Sequence, residues 1–243
     1  MIPFLRKLRK ENGTRMKYFK YALGEIALVV IGILIALQIN NWNEYRKEKD
    51  KEKAILIEIL SDLEANETLL KGTLDDTGKL RERHTSMVLL AGHLENKRSW
   101  HDSLLTHATN IFTYYNVNYK TSGFSSLLSF GADLVRNDSL RQQIGVYYTN
   151  NVPQTDKQLK EVRDDFYNYM LGYMRMDFVT TIREGEEVMY PLNYDLLLKK
   201  TDFLQSLKIY AGITERYIRE IEKSIQQTKL LKQSVETYLH RNT

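Results

Sequence analysis

Apolar residues gather in one unbroken run near the start of the chain and recur every three to four residues over most of the rest. The run covers residues 22–39 (ALGEIALVVIGILIALQI), and positions 26–37 carry no polar side chain. As a helix it is roughly 27 Å long at 1.5 Å per residue, close to a hydrocarbon core of about 30 Å. Tyr18, Phe19 and Tyr21 flank one end and Trp42 the other, as interfacial aromatics do. The pattern predicts a transmembrane helix over residues 21–42, with a buried core helix as the competing reading. No pair of small residues three apart follows the run, so an uncleaved signal anchor is expected in place of a cleaved signal peptide.

Beyond Trp42 the period is helical. Residues 43–53 are almost all charged, of mixed sign, and suit a solvated helix continuing from the span. Leu56, Ile59, Leu63, Leu70, Leu74, Leu80, Met87, Val88 and Leu94 then form a helical stripe, weakened at Gly72 and Gly78, where a kink is expected. Near the C-terminus Asp202 is placed as an N-cap. It precedes Leu204, Leu207, Tyr210, Ala211, Ile218, Ile221, Ile225, Leu231, Val235, Tyr238 and Leu239, a near-heptad seam of coiled-coil type. Shorter helices are expected between them. One spans 122–130 with Gly131 as its stop, and one spans 139–149 capped by Asn137 or Asp138. Another starts at 153–156 with Leu159, Val162, Phe166, Tyr169, Tyr173 and Met176 on one face, and a last covers 194–199. Residues 96–100 read as a turn and 183–187 as a polar loop. No convincing strand alternation is seen. The expected fold is all-α: one transmembrane helix continuing into an extracytoplasmic antiparallel helical bundle built on two long helices. The expected domains are a cytoplasmic basic tail (1–20), the span (21–42) and the bundle (43–243).

Charge changes the picture. The whole chain is +4 with a pI near 9.0. The first 43 residues hold Arg6, Lys7, Arg9, Lys10, Arg15, Lys17 and Lys20 against Glu11 and Glu25, net +5, which leaves −1 for everything after. The basic character belongs to the tail, so no nucleic-acid partner is expected. Seven basic residues precede the span, and Arg46, Lys47, Lys49, Lys51 and Lys53 follow it. That bias favours a cytoplasmic N-terminus and a periplasmic C-terminal domain, single-pass in the inner membrane, with the lipid bilayer as the first partner. The segment 2–10 is either an amphipathic helix along the inner leaflet or an unstructured basic tail, with a turn at Asn12-Gly13.

At 100° per residue Val29, Gly32, Ala36 and Asn43 all fall within about 40° of Glu25, on one stripe. Gly32 and Ala36 have the small-x-x-x-small spacing that lets helix backbones approach, and Asn40 adds a polar group at the outer interface. The stripe is a candidate self-association seam for a homo-oligomer through the span. Tyr114, Tyr115, Tyr119, Tyr147 and Tyr148 crowd the central third and are read either as a contact surface for an unidentified envelope protein or as residues at the boundary of the core.

Composition excludes cysteine chemistry, for the chain has no cysteine. His84, His93, His101, His107 and His240 include no pair four apart, and Glu-x-x-His, calcium-loop, phosphate-loop and nucleophile-elbow motifs are absent. No catalytic residue, cofactor site or metal site is expected, and the chain is not read as an enzyme.

The string 24–44, GEIALVVIGILIALQINNWNE, resembles the opening of an uncharacterised family of small single-span membrane proteins found in Bacteroidota, which carries a domain of unknown function. A second stretch is similar too: Thr121, Leu127, Leu128, Ser129, Gly131, Leu134, Val135, Asn137, Leu140, Arg141, Tyr147 and Tyr148. Family members often have a second Ser before the Gly, where this chain has Phe130. The resemblance implies a single-span protein with a helical outer domain and no known activity. The expected function is a membrane-anchored interaction or scaffold protein, with an envelope ligand sensor acting through a partner as the alternative.

Overall fold

In a computed structural model of the chain the backbone is described for residues 3–76, 79–112 and 117–242, and the side chains of the same residues except 3–17, 19, 20 and 242. The described chain is mostly helical. It divides into two compact units, Met1–Lys53 and Ala54–Thr243.

The first unit is the opening of α1, a helix of 73 residues from Pro3 to Asp75. α1 runs through Asn12 and Gly13, so the turn expected there does not form. Each of these residues costs a helix only up to about 1 kcal/mol. Among the described residues one helix is long and apolar enough to cross a membrane. Over residues 21–42 every side chain is exposed, Leu28 by 74%.

The second unit is built from the rest of α1 and from α2 (Leu80–Glu95), α3 (Leu104–Asn110), α4 (Ser122–Phe130), α5 (Asp138–Val146), α6 (Val152–Asp165), α7 (Leu171–Asp177), β1 (Phe178–Arg183), β2 (Glu186–Pro191), α8 (Tyr194–Leu197) and α9 (Thr201–Asn242). α1 stops at Asp75, and Lys79 takes a left-handed conformation before α2. The stripe read from sequence is buried at Leu56, Ile59, Leu63, Leu70, Leu74, Leu80, Met87 and Leu94, while Val88 faces out. α9 packs against α2 and α6 and threads two core clusters. The larger takes Phe203 to Ile225 of α9, and the smaller takes Leu231 and Val235 with Ile55, Ile59, Leu127, Ile144 and Tyr147.

From α5 to α7 the backbone stays helical through two π-helical turns, Tyr147–Asn151 and Phe166–Met170. The first precedes Pro153, which has no N–H to give and whose ring crowds the preceding turn. The Val152 N–H reaches back five residues to Tyr147 O, and the added residue makes the room. The second turn moves the apolar stripe. Leu159, Val162 and Phe166 are buried as expected, but Met170 follows them inward, and Tyr169 and Met176 turn out to solvent.

The chain is not all-α. β1 and β2 form an antiparallel hairpin where a polar loop was expected. Glu184 (φ 57°) and Gly185 (φ 86°) both adopt the positive φ that a tight two-residue turn demands. Phe178 and Met189 face the core on neighbouring strands.

Candidate functional site

Asp62 and Asn66 stand one turn apart on α1 and are both buried. A buried carboxylate is tolerable only when hydrogen-bonded, and Asp62 accepts from Ser122 Oγ (2.8 Å) and from the Gly123 backbone N–H (2.7 Å). These groups lie at the N-terminus of α4, whose preceding residue Thr121 makes no side-chain cap. Asp62 thus caps α4 from another helix, at the end where the helix dipole favours negative charge. Asn66 completes the clasp. Its Nδ2 donates to Lys120 O (2.9 Å) and its Oδ1 accepts from the Lys120 N–H (2.7 Å). The clasp closes because residue 123 is glycine: a Cβ there would lie 2.5 Å from the Ile59 backbone nitrogen.

Three of the five tyrosines lie beside this clasp. The Tyr147 ring is 1% exposed, and its hydroxyl is 3.0 Å from Thr228 Oγ1. Thr228 spends its only proton on Ser224 O, so Tyr147 donates to Thr228. Burial pushes the Tyr147 phenol up to about 12. Tyr148 stacks on Phe124 at 4.6 Å, and burial raises its phenol as well. Its hydroxyl has no hydrogen-bond partner among the described residues. Tyr119 is half-buried, with its hydroxyl 3.3 Å from Ser224 Oγ. Tyr147 and Tyr148 therefore belong to the core and not to a contact surface, because their positions on the inner face of the α5–α6 run turn both rings toward α4 and α9. Tyr114 and Tyr115 lie outside the described residues.

The candidate association stripe is no more exposed than the rest of residues 21–42. Glu25, Val29, Gly32, Ala36 and Asn43 are exposed along α1, and a Cβ on Gly32 would meet nothing within 4 Å. Asn40 donates to Glu44 Oε1 (3.0 Å) within its own helix.

Two features escaped sequence reading. Arg83 is buried beside Tyr210, and its charge partly offsets the burial that pushes the Tyr210 phenol up to about 12. A shallow groove of about 850 Å³ runs between α5 and α9, lined by Asn137, Gln143, Gln233 and Thr237, with Arg241 as the only charge among the described residues lining it. Among the described residues no group of three or more His, Asp or Glu side chains is placed to hold a metal ion. The chemistry of the clasp is mechanical: it fixes the approach of α4 to α1.

The sequence stretches that build this clasp carry a family signature. A family model described as "Family of unknown function (DUF6090)" matches residues 25–165, more than half of the chain. The chain belongs to the DUF6090 family. The DUF6090 match takes in both halves of the clasp, as well as Glu25, Gly32 and the whole α4–α6 stretch. No curated protein and no solved structure matches the chain.

Proposed function

We propose that this DUF6090 protein is anchored in the inner membrane by α1 and presents its helical unit in the periplasm as an interaction or scaffold module. The observation that carries the reading is the exposure of α1 over residues 21–42, whose stretch 26–37 carries no polar side chain. Apolar area of that extent on a soluble surface marks a membrane or partner contact, and a helix satisfies all its backbone groups internally, as a span must. The seven basic residues before the span against five after it support a cytoplasmic N-terminus. An antiparallel bundle on two long helices is the arrangement supported by the ion pairs. Glu64 and Glu67 reach Lys232, Arg81 reaches Glu222, and Glu95 reaches Lys208, so contacts move down α9 as they move up α1 and α2. Apart from the half-buried Glu67–Lys232 contact, these pairs lie at the surface, are worth up to about 1 kcal/mol each, and report direction more than stability.

A reporter fused after Thr243 tests the orientation. A reporter active only outside the cytoplasm gives signal on this reading, and signal from a cytoplasm-only reporter overturns it. Crosslinking in membranes followed by recovery of the chain tests the module. An envelope protein in the eluate supports it, and recovery of the chain alone counts against a scaffold for other proteins. The groove between α5 and α9 favours a second reading, an envelope ligand sensor acting through a partner.

A further inference from the structure

Antiparallel strands alternate between residue pairs that exchange both backbone hydrogen bonds and pairs that exchange none. The alternation in the β1–β2 hairpin is fixed by two bonds. The Met189 N–H donates to Thr109 Oγ1 (2.9 Å), away from β1, so Met189 and its partner Thr180 are a non-bonded pair. The Leu192 N–H donates to Asp177 O (2.7 Å), which continues the bonded series through the odd-numbered residues of β1. Phe178, Thr180 and Ile182 therefore turn their N–H and C=O groups to the other edge. The outer edge of β2 is covered by α3. Among the described residues nothing pairs with the outer edge of β1 from Thr180 to Arg183, and Ile182 is 77% exposed. The strand reads Phe-Val-Thr-Thr-Ile-Arg, rich in β-branched residues, with no proline, lysine or bulge to guard it.

We propose that a second copy of this chain pairs with that edge, β1 against β1, about a two-fold axis centred on Thr180. The strand itself argues for this occupant. A two-fold perpendicular to the sheet keeps each side chain on its own face, so facing residues must have the same parity. Centred on Thr180, Phe178 faces Ile182 of the other copy, Thr180 faces Thr180, and Val179 faces Thr181. The three residues with outward groups pair with one another and close roughly six backbone hydrogen bonds. The bare Ile182 gains an aromatic neighbour. Charge agrees. Arg175, Asp177 and Lys200 stand at the start of β1, net +1, with Lys200 bonded to Asp177 at 2.6 Å, and Arg183, Glu184, Glu186 and Glu187 stand at the exposed tip, net −2. Antiparallel pairing sets the acidic tip of one copy beside the basic start of the other, whereas parallel pairing sets like beside like. This surface lies in the helical unit and does not depend on the membrane reading.

The chain lacks cysteine, so single-cysteine variants of the full chain report the pairing cleanly. Facing residues of a bonded pair have Cα atoms about 5.5 Å apart, within the span of a disulfide. Thr180→Cys should form a disulfide-linked dimer under mild oxidation, at least ten-fold more than Thr181→Cys, whose copies lie offset along the strand. Adding Ile182→Pro to Thr180→Cys should abolish the link with an unchanged melting temperature, because the proline removes only an outward N–H. If Ile182→Pro lowers the melting temperature, Ile182→Lys, which sets a charge against Phe178, replaces it. The same contrast is read in membranes and in detergent. No link at position 180, equal links at 180 and 181, or a link that survives both changes at 182 overturns the proposal.

Discussion

Gly123 sets how close α4 comes to α1. With a Cβ position 2.5 Å from Ile59 N and 2.8 Å from the Glu58 carbonyl carbon, no side-chain adjustment makes room, since both contacts are backbone. Gly123→Ala should cost about 3 kcal/mol, the upper end for overpacking, read as a shift of the urea midpoint. Asp62→Ala removes the acceptor of two bonds and leaves Ser122 Oγ and the Gly123 N–H without it. It should cost about 2–3 kcal/mol, and Asp62→Asn, which keeps one acceptor oxygen, less. Tyr148→Phe deletes a buried hydroxyl that lacks a partner among the described residues, so it should leave stability unchanged or raise it by up to about 1 kcal/mol. The buried phenols also set an alkaline limit. Tyr147 and Tyr210 lose their protons near 10 when unfolded and near 12 when folded. Their stabilisation is intact below pH 10 and is lost as the pH rises towards 12, on the order of 3 kcal/mol for each. Phenolate absorbance should show a late step for the buried phenols that coincides with loss of helicity. None of this was legible in the sequence. Asp62 and Asn66 read as polar positions on an amphipathic helix, and only the fold shows which segment they meet.

The helices were legible where a single period governs many residues. α4 was expected at its observed bounds, Asn137 caps α5 through the Leu140 N–H (2.8 Å), and the α9 seam is buried at Leu207, Tyr210, Ile221, Leu231 and Val235. Reading failed where the backbone changes period within an element. The π-turn at Phe166–Met170 inserts one residue, so a stripe extrapolated at 3.6 residues per turn puts Tyr169 inside, where Met170 is. Deleting Asn168 removes the extra residue, so it should convert the turn to regular α-helix and leave Leu171 and Met174 on the core side. Helicity retained with a melting temperature close to that of the parent chain is the expected result. The hairpin was missed for a related reason. It is short, only Phe178, Met189 and Pro191 in it are buried, and its turn uses Glu184 at a φ that non-glycine residues rarely adopt.

At the scale of the whole molecule, composition misleads and position informs. A pI of 9.0 and a mean hydropathy of −0.45 describe a soluble basic protein. The order of residues describes a +5 segment bearing an apolar helix, joined to a nearly neutral helical unit. The structure keeps that helix exposed on all sides over residues 21–42, while the helical unit buries its own apolar stripe within Ala54–Thr243. Extraction of the full chain from isolated membranes tests the account most directly, beside a variant lacking residues 1–42. The full chain should stay with the membranes through a urea wash and be released only by detergent, while the shortened chain should be recovered in the soluble fraction. Release of the full chain by the urea wash alone would contradict it.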